Sequence, residues 1–319
     1  MTTLRIGTRG SKLALWQAHW VAEQLLARDA GLDLQVVVVK TSGDLAQSGA
    51  GGTGLGAPLC PKDKVGHQAP SLLPHSDIGL FTGELEAALL DGTIDLAVHS
   101  LKDLPCELPE GLAIAAYCKR EDPRDALISE GGLALEELPP GSCIGTASLR
   151  RKALILALRP DLCCVDLRGN LDTRLRKLEE SSELSAIVVA AAGLIRMGWE
   201  SRISQYLSEE AFLPAPGQGV VAVEISAARA GVLEVVAGIN HGPSEFEALA
   251  ERSFLHTLGA GCHAPVGARA VFAEGTLVLT AMEASLDGSR VMQVSAKGTD
   301  PELVGKQAAE AVLNIKSKT

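Results

Sequence analysis

The sequence is poor in aromatic residues and has no long uninterrupted apolar segment. Phe, Trp and Tyr make up 3% of the 319 residues, whereas hydrophobic residues as a whole reach 46%. We therefore expect a core of Leu, Val, Ile and Ala, which excludes general disorder. The longest apolar run, residues 186–195, is far shorter than the roughly 18 residues of a membrane-spanning helix. The sequence therefore predicts a globular protein that does not cross a membrane.

A surplus of basic residues is also missing. Lys and Arg number 29 against 39 Asp and Glu, so the formal net charge is −10. This charge argues against a general nucleic-acid binder but leaves room for a local basic pocket. Near the N-terminus, Arg5, Arg9 and Lys12 interrupt any apolar segment of a secretory signal. We expect a cytoplasmic monomer that binds neither nucleic acid nor membranes.

Paired cysteines and histidines at metal-ligand spacing are absent from the sequence. The cysteine count is odd and contains no CxxC motif: Cys60, Cys106, Cys118, Cys143, Cys163, Cys164 and Cys262. This pattern fits neither a disulfide framework nor a zinc site. We expect most of these thiols to be buried, and His99, His256 and His263 to be structural. No metal is predicted.

Strand and helix patterns alternate through the first two thirds of the chain. The first third predicts strands at residues 4–7, 34–39, 94–99 and 112–117, and helices after Ser11 and at 81–90. The apolar run 34–39 is typical of a strand covered on both faces. The middle third predicts strands at 143–145, 163–167, 186–190 and within 212–225, and helices at 149–158 and 171–180. The fold class is therefore α/β, with two doubly wound parallel-sheet domains and a ligand cleft between them.

The last third predicts a small α+β domain with an antiparallel sheet. Ser244 and Glu247 form a capping box for a helix that would bury Phe246, Leu249, Ala250 and Phe254. Asp287-Gly288 predicts a hairpin turn, and Asp300-Pro301 predicts the start of a final helix. The predicted domains are residues 1–118 with 219–238, residues 119–218, and residues 239–319. A Gly- and Pro-rich segment, residues 44–78, fits no element and is either a surface loop or a lid over the cleft.

Basic residues follow several of the predicted strands. Helix N-termini ordinarily prefer acidic residues, yet basic and hydroxyl side chains stand at or near these positions: Arg9, Ser11, Lys12, Thr146, Ser148, Arg150, Arg151, Lys152, Arg168, Arg174 and Arg196. An anionic ligand with carboxylate or phosphate groups explains such a set. The alternative is that these residues pair with the chain's own acids.

Asp103 and Cys262 stand apart as chemically reactive candidates. Asp103 follows a predicted strand, where a carboxylate in a basic cleft can stabilise a cation or move a proton, or can simply cap a turn. Cys262 lies among glycines beside His263, which favours an accessible thiolate, although an ordinary loop cysteine fits the same spacing.

Long segments of the sequence resemble the porphobilinogen deaminase family. They are RIGTRGSKLALWQA, LFTGELEAALLDGTIDLAVHSLKDLP, KREDPRDALIS, IGTASLRR, LRGNLDTRL, AAAGLIRMG, PAPGQG and GAGCHAPVG. These segments occur in the family's order and cover nearly the whole chain. The resemblance implies two domains like type II periplasmic binding proteins and a third α+β domain.

The resemblance also implies an activity and a cofactor. The implied reaction condenses four molecules of the small substrate porphobilinogen head to tail, with loss of ammonia, and water releases the linear tetrapyrrole hydroxymethylbilane. The implied primer is a dipyrromethane cofactor joined through a thioether to Cys262. Each pyrrole ring carries two carboxylates, so the growing chain brings many negative charges to the Arg residues.

Site residues follow from the positions that match the family's motifs. Asp103 is the implied catalytic carboxylate, which stabilises the azafulvene-like cation formed when ammonia leaves. Implied cofactor contacts, besides Cys262, are Arg9, Ser11, Lys102, Thr146, Ser148, Arg150, Arg151, Arg168, Gly169, Arg174 and Arg196. Implied substrate contacts are Arg9, Gln17, Arg168, Arg174 and Arg196. Ile78, Gly83 and Ile195 replace residues that are often basic in the family, and we still expect activity.

Two other functions fit parts of the pattern. A binding protein would use the same cleft to capture a carboxylated or phosphorylated small molecule, but it leaves Cys262 without a role. A degenerate homologue would have lost activity through the altered loop.

Overall fold

The computed structural model describes residues 3–40, 82–259 and 264–318. The predicted segment 44–78, with Cys60 and Ile78, lies outside the described residues, and so do Cys262 and His263. Within the described residues the strands form two five-stranded sheets and one three-stranded sheet. No helix in the described ranges is long and apolar enough to cross a membrane.

Thirteen strands and eight α-helices are assigned in the described residues. The strands are β1 (Thr3–Thr8), β2 (Asp33–Val38), β3 (Leu96–Ser100), β4 (Leu112–Tyr117), β5 (Asp125–Ser129), β6 (Cys143–Gly145), β7 (Cys163–Val165), β8 (Ala186–Ala190), β9 (Gln205–Tyr206), β10 (Val221–Ser226), β11 (Val266–Ala273), β12 (Thr276–Ala284) and β13 (Val291–Gly298). The helices are α1 (Lys12–Arg28), α2 (Gly83–Leu90), α3 (Leu149–Leu158), α4 (Leu171–Glu180), α5 (Ala191–Arg196), α6 (Ala230–Ala237), α7 (Gly242–Thr257) and α8 (Pro301–Lys316).

The first sheet has the strand order β2-β1-β3-β10-β4. β1 is parallel to β2 and β3, whereas β10 is antiparallel to both β3 and β4. The prediction of a parallel sheet was therefore wrong for this strand, because β10 follows the second sheet in the chain and joins the first sheet antiparallel to its neighbours. The prediction that residues 34–39 are covered on both faces was also wrong. β2 is an edge strand, and none of its residues is buried.

The second sheet repeats this arrangement with the order β7-β6-β8-β5-β9. β6 is parallel to β7 and β8, and β5 runs antiparallel to β8 and β9. The prediction of two similar α/β halves is confirmed. The sequence analysis missed β5, although all five of its residues are buried.

The third sheet is antiparallel, and α7 and α8 pack against it. Asp300 caps α8 as predicted, because its side chain accepts hydrogen bonds from the amides of Glu302 and Leu303. The predicted capping box was wrong: α7 begins at Gly242, and the ring of His241 accepts from the Ser244 amide. Phe246 is 36% exposed rather than buried.

The chain passes twice between the first two sheets. Residues 118–124 form the first crossing segment, from β4 to β5, and residues 207–220 form the second, from β9 to β10. The Glu121 amide donates to the Gly219 carbonyl at 3.0 Å. Gly219 has a φ of +90°, and a Cβ there would collide with the Glu121 carbonyl oxygen. The glycine therefore lets the two segments lie against each other.

Candidate active site

Asp103 lies directly beyond the carboxyl end of β3, as predicted. The residues Leu101–Asp103 form a short 3₁₀ turn. Leu101 is buried, and its amide donates to the Val220 carbonyl at 3.0 Å. This anchor holds the turn in place, so that Lys102 is half-buried and the Asp103 carboxylate is exposed.

Arg174, in the first turn of α4, belongs to the half of the second sheet and lies close enough to interact with Asp103. Burial, and to a smaller extent the positive charges of Arg151 and Arg168, lower the pKa of Arg174 to about 10. The negative charge of Asp103 acts in the opposite direction. A carboxylate from the first sheet and three guanidinium groups from the second are therefore close enough to interact.

Lys102 belongs to the same group of charges. Burial, and to a smaller extent the Arg151 charge, lower the pKa of Lys102 to about 8, although the negative charge of Asp103 opposes the change. The Lys102 Nζ donates to the Gln218 Oε1 at 3.2 Å. At pH 7 this amine still carries its proton in most molecules, because its pKa lies above the pH.

Arg150 and Arg151 begin α3 and share one buried acid. The Arg150 Nη1 donates to one oxygen of Asp125 at 2.7 Å, and the Arg151 Nη2 donates to the other at 2.7 Å. Burial alone would raise the pKa of Asp125, but the two guanidinium groups outweigh it and hold the pKa well below its ordinary value. Arg150 and Arg151 therefore pair with one of the chain's own acids, which was the alternative to an anionic ligand for the basic residues at helix starts.

An Asp125→Asn variant will be strongly destabilised. The amide removes the charge that neutralises two buried guanidinium groups, and breaking a buried ion pair costs about 3–5 kcal/mol. Urea unfolding at pH 7 measures the change. Asp122→Asn is the matched control, because Asp122 pairs with the partly exposed Arg124 in the same crossing segment. We expect the control to lose less than about 1 kcal/mol, and equal losses in the two variants would contradict the prediction.

The hydroxyl and amide side chains of the predicted site make local contacts. Ser11 caps α1 by accepting from the Ala14 amide at 3.3 Å. Ser148 caps α3, and its own amide donates to the Thr146 Oγ1 at 3.2 Å. Gln17 is buried and donates to the Ser100 Oγ at 2.9 Å. These contacts fix the loops after β1, β6 and β3.

The remaining predicted arginines lie in three places. The Arg174 Nε donates to the Gly169 carbonyl at 2.7 Å, which ties the loop after β7 to α4. Arg168 in that loop is exposed. Arg196 instead lies at the crossing segments, where its Nη2 donates to the Gly219 carbonyl at 2.6 Å. Arg9 is half-buried and follows β1.

The helix ends of the two α/β halves face each other. The Lys12 Nζ, at the start of α1, lies 3.5 Å from the Asp172 Oδ2 at the start of α4. The prediction that basic residues begin three helices is confirmed for α1 and α3, which have no acidic residue in the first turn. It is only partly right for α4, where Asp172 accompanies Arg174.

Two further residues of this region were missed by the sequence analysis. Asp125 lies in the quoted segment KREDPRDALIS, and Gln218 lies in PAPGQG. Asp125 is fully buried and Gln218 is 1% exposed. An acid at the start of an apolar pentapeptide could have signalled the buried strand β5, whereas Gln218 carried no signal beyond its motif. No group of His, Cys, Asp and Glu side chains within the described ranges is arranged to hold a metal ion.

Gly83 and Ile195, which replace residues that are often basic in the family, lie in different environments. Gly83 begins α2, and no atom lies within 4 Å of a Cβ built there, so a side chain would have room. Ile195 packs against the apolar core that includes Leu194 and Val189. Burial against this core explains why an apolar residue is tolerated at position 195.

Comparisons with known proteins agree on one family. A family model described as "Porphobilinogen deaminase, dipyromethane cofactor binding domain" matches residues 4–55 and 63–234, and "Porphobilinogen deaminase, C-terminal domain" matches residues 245–314. A porphobilinogen deaminase of Desulfitobacterium hafniense is 50% identical, over 98% of this chain and 94% of that protein. One of Syntrophomonas wolfei is 45% identical, over 98% of this chain and 96% of that protein.

A solved structure of low sequence identity also matches. It is a nutrient-binding protein from Burkholderia cenocepacia bound to methionine, with a TM-score of 0.42 and 12% identity, covering 76% of this chain and 94% of that one.

Proposed function

Because this chain belongs to the porphobilinogen deaminase family, a family of transferases in tetrapyrrole biosynthesis, we propose how its residues perform the reaction. Four porphobilinogen molecules join head to tail, each losing ammonia, and water releases the linear tetrapyrrole. The proposed site is the basic group around Asp103. The proposed anchor of the dipyrromethane cofactor is a thioether on Cys262.

The surplus of positive charge around Asp103 is the observation that carries this proposal. Five cations stand there against two carboxylates, Asp103 and Asp125: Lys102, Arg150, Arg151 and Arg174 each interact with one or both of them, and Arg168 interacts with Arg174. The lowered pKa values of Lys102 and Arg174 have mutual repulsion among these cations as one cause. A bound polycarboxylate relieves that repulsion, because its negative charges would lie among these cations.

The residues present fit a dipyrromethane cofactor. Such a group carries carboxylates on both rings. Arg168 and Arg174, in α4 and the loop before it, are the side chains that would hold these carboxylates, while Arg151 of α3 is paired with Asp125 and would add its positive charge nearby. Ser11, Thr146 and Ser148 add hydroxyl groups at the neighbouring loops. When bound, the cofactor supplies the pyrrole carbon to which the first substrate unit is joined.

Asp103 has the setting that the proposed chemistry requires. Loss of ammonia from the substrate's aminomethyl group leaves a positively charged carbon, and a fixed carboxylate stabilises that charge as it develops. The same carboxylate can then accept the proton that the newly substituted pyrrole ring must lose. Asp103 is exposed, so its oxygens can approach a substrate, while the buried Leu101 fixes the turn that carries it.

Lys102 and the arginines have a binding role in this proposal. Lys102 keeps its proton at pH 7, so it acts as a cation for a carboxylate rather than as a base. Arg9 and Gln17 from the first sheet, with Arg168, Arg174 and Arg196 from the second, are proposed to hold the incoming substrate. Carboxylates on every ring allow the same cations to serve each added unit.

The domain boundaries and cellular setting stay predictions. We propose domains at residues 1–118 with 219–238, at 119–218 and at 239–319. The two crossing segments support the boundaries near 118 and 219, since the chain leaves and re-enters the first sheet there. A cytoplasmic monomer that binds neither nucleic acid nor membranes is proposed from the sequence.

Intact mass and substrate consumption together test the function. We expect protein purified from a haem-producing host to exceed its sequence mass by one dipyrromethane and to convert porphobilinogen to a linear tetrapyrrole. Incubation with limited porphobilinogen should add further pyrrole units to the same protein mass. Protein that carries no adduct, consumes no porphobilinogen and binds it only reversibly would overturn the proposal.

A further inference from the structure

Gln218 connects the two sides of the candidate site. It lies in the second crossing segment and is 1% exposed. Its Oε1 accepts from the Lys102 Nζ at 3.2 Å. Its Nε2 donates to the Asp125 Oδ1 at 3.0 Å and to the Pro123 carbonyl at 2.7 Å. One side chain thus contacts the turn of Asp103, the first crossing segment and the acid that pairs with Arg150 and Arg151.

The chemistry of these partners fixes the orientation of the amide. The Gln218 oxygen faces an ammonium group, and its nitrogen faces a carboxylate and a carbonyl oxygen. A flipped amide would place its NH₂ group against the Lys102 ammonium and its oxygen against Asp125. Both contacts would be repulsive, so a single orientation is strongly favoured.

The backbone of Gln218 is held as firmly as its side chain. The Arg120 Nη1 donates to the Gln218 carbonyl at 2.9 Å. The neighbouring Gly217 amide donates to the Glu251 Oε2 at 2.7 Å, and the Arg120 Nη2 donates to the Glu251 Oε1 at 3.0 Å. Arg120 and Glu251 are both buried or nearly so. The position of the amide is therefore set by contacts outside the candidate site.

We propose that Gln218 is a positioning residue. It holds Lys102, and with it the adjacent Asp103, at a fixed position beside the Asp125–Arg150–Arg151 group. The inference rests on the proposed function, since it concerns the arrangement of the residues in that same site. The bond to Gln218 is the one hydrogen bond of the Lys102 ammonium found within the described ranges. The Leu101 amide anchors the start of the turn, and the bond from Lys102 to Gln218 anchors the next residue. Losing the second anchor frees the Lys102 ammonium to turn away and loosens the placement of Asp103 relative to the arginines.

Gln218→Met is the main test. Methionine has a similar length but neither donates nor accepts here, so Lys102 and Asp125 each lose a partner. We expect kcat to fall roughly tenfold and KM to change less than about threefold. Gln205→Met is the matched control, because the Gln205 side chain also joins two partners but lies in β9. Its Oε1 accepts from the Leu135 amide at 2.7 Å, and its Nε2 donates to the Glu136 carboxylate. The control should keep its kcat within about twofold.

A second readout follows the Lys102 amine without requiring turnover. Reductive methylation with ¹³C-formaldehyde gives an NMR signal whose pH titration reports the amine pKa, and Lys102→Arg assigns that signal. The charged groups facing this amine are Asp103 on its own turn, Asp125 on β5, and Arg150 and Arg151 on α3. Gln218→Met should lower the amine pKa by about one pH unit, since the ammonium loses its acceptor. Gln218→Glu should raise it, since a carboxylate replaces the amide oxygen.

The outcomes separate this inference from the proposed function. Wild-type protein without adduct or turnover would refute the function, while the NMR titration would still decide whether Gln218 holds Lys102. Active wild-type protein, with Gln218→Met matching Gln205→Met in kcat and in the Lys102 titration, would overturn the inference. If Gln218→Met does not fold, Gln218→Asn replaces it. Its shorter amide cannot reach Lys102 and Asp125 together, and wild-type behaviour in that variant would equally overturn the inference.

Discussion

A Cys262→Ala variant is expected to be purified at its sequence mass, without the increment of one dipyrromethane, and to make no tetrapyrrole. The reason is chemical: a thioether needs a sulfur atom, and alanine offers none. Without a covalent primer, the first substrate unit has no acceptor that stays with the protein. Intact-mass measurement detects the missing cofactor, and a porphobilinogen consumption assay detects the missing activity.

Other cysteines are poor substitutes for Cys262. Burial raises the pKa of Cys118 to about 12, and it raises the pKa of Cys164 to about 12 as well. Thiols with such pKa values carry almost no thiolate at neutral pH, and the thiolate is the nucleophile. Cys118 and Cys164 therefore cannot take over the attachment when Cys262 is replaced.

Cys143→Ala is the matched control for this experiment. Cys143 is half-buried in β6, and its strand leads directly to Thr146. The control should keep the full mass increment and most of the turnover. A Cys262→Ala protein that still carries the increment would move the attachment to another residue and contradict the prediction.

The sequence predicted most elements of this fold, because their local patterns and their environments agree. α3, α4 and α8 begin or end at the predicted residues, since Ser148 and Asp300 cap their helices and Pro160 follows the end of α3. Strand pairing direction was not predictable in the same way. Whether β10 lies parallel or antiparallel to β3 depends on the route of the second crossing segment, which leaves no mark on the strand's own residues.

The strand predicted at residues 34–39 to be covered on both faces shows a second limit of the sequence. A run of valines fits both a central strand and an edge strand, because the propensity of a residue says nothing about its neighbours in the sheet. The same applies to Phe246, whose spacing suggested burial in α7. Its ring instead packs on Phe272, with ring centroids 5.0 Å apart, and stays partly exposed.

The sequence predicted where several residues of the candidate site would lie, but it did not predict the contacts between them. Strand ends and helix starts indicated where Asp103, Arg151 and Arg174 would lie, because the carboxyl ends of parallel strands share one edge of a sheet. Gln218 bonds to residues 93 and 116 positions away in the chain, and Asp125 also pairs with arginines 25 and 26 positions away. No local pattern encodes such pairs, so they required coordinates.

An Asp103→Asn variant is expected to keep the dipyrromethane increment and to lose most of its turnover. Asparagine has nearly the same shape and is exposed at this position, so the fold and the cofactor contacts of the arginines should survive. It carries no charge to stabilise the cation left by ammonia, and it cannot accept the proton that the ring loses. Losing one such group typically lowers kcat by about 10²–10⁴-fold.

The comparison with Asp166→Asn isolates this effect. Asp166 also follows a strand, β7, and pairs with Lys152, so the control removes a charge of the same kind near the second sheet. We expect Asp166→Asn to keep turnover within a few-fold of wild type. Steady-state kinetics with porphobilinogen and intact mass are measured for both variants. Near-normal kcat in Asp103→Asn would remove this carboxylate from the chemistry, and loss of the mass increment would instead make it a residue of cofactor assembly.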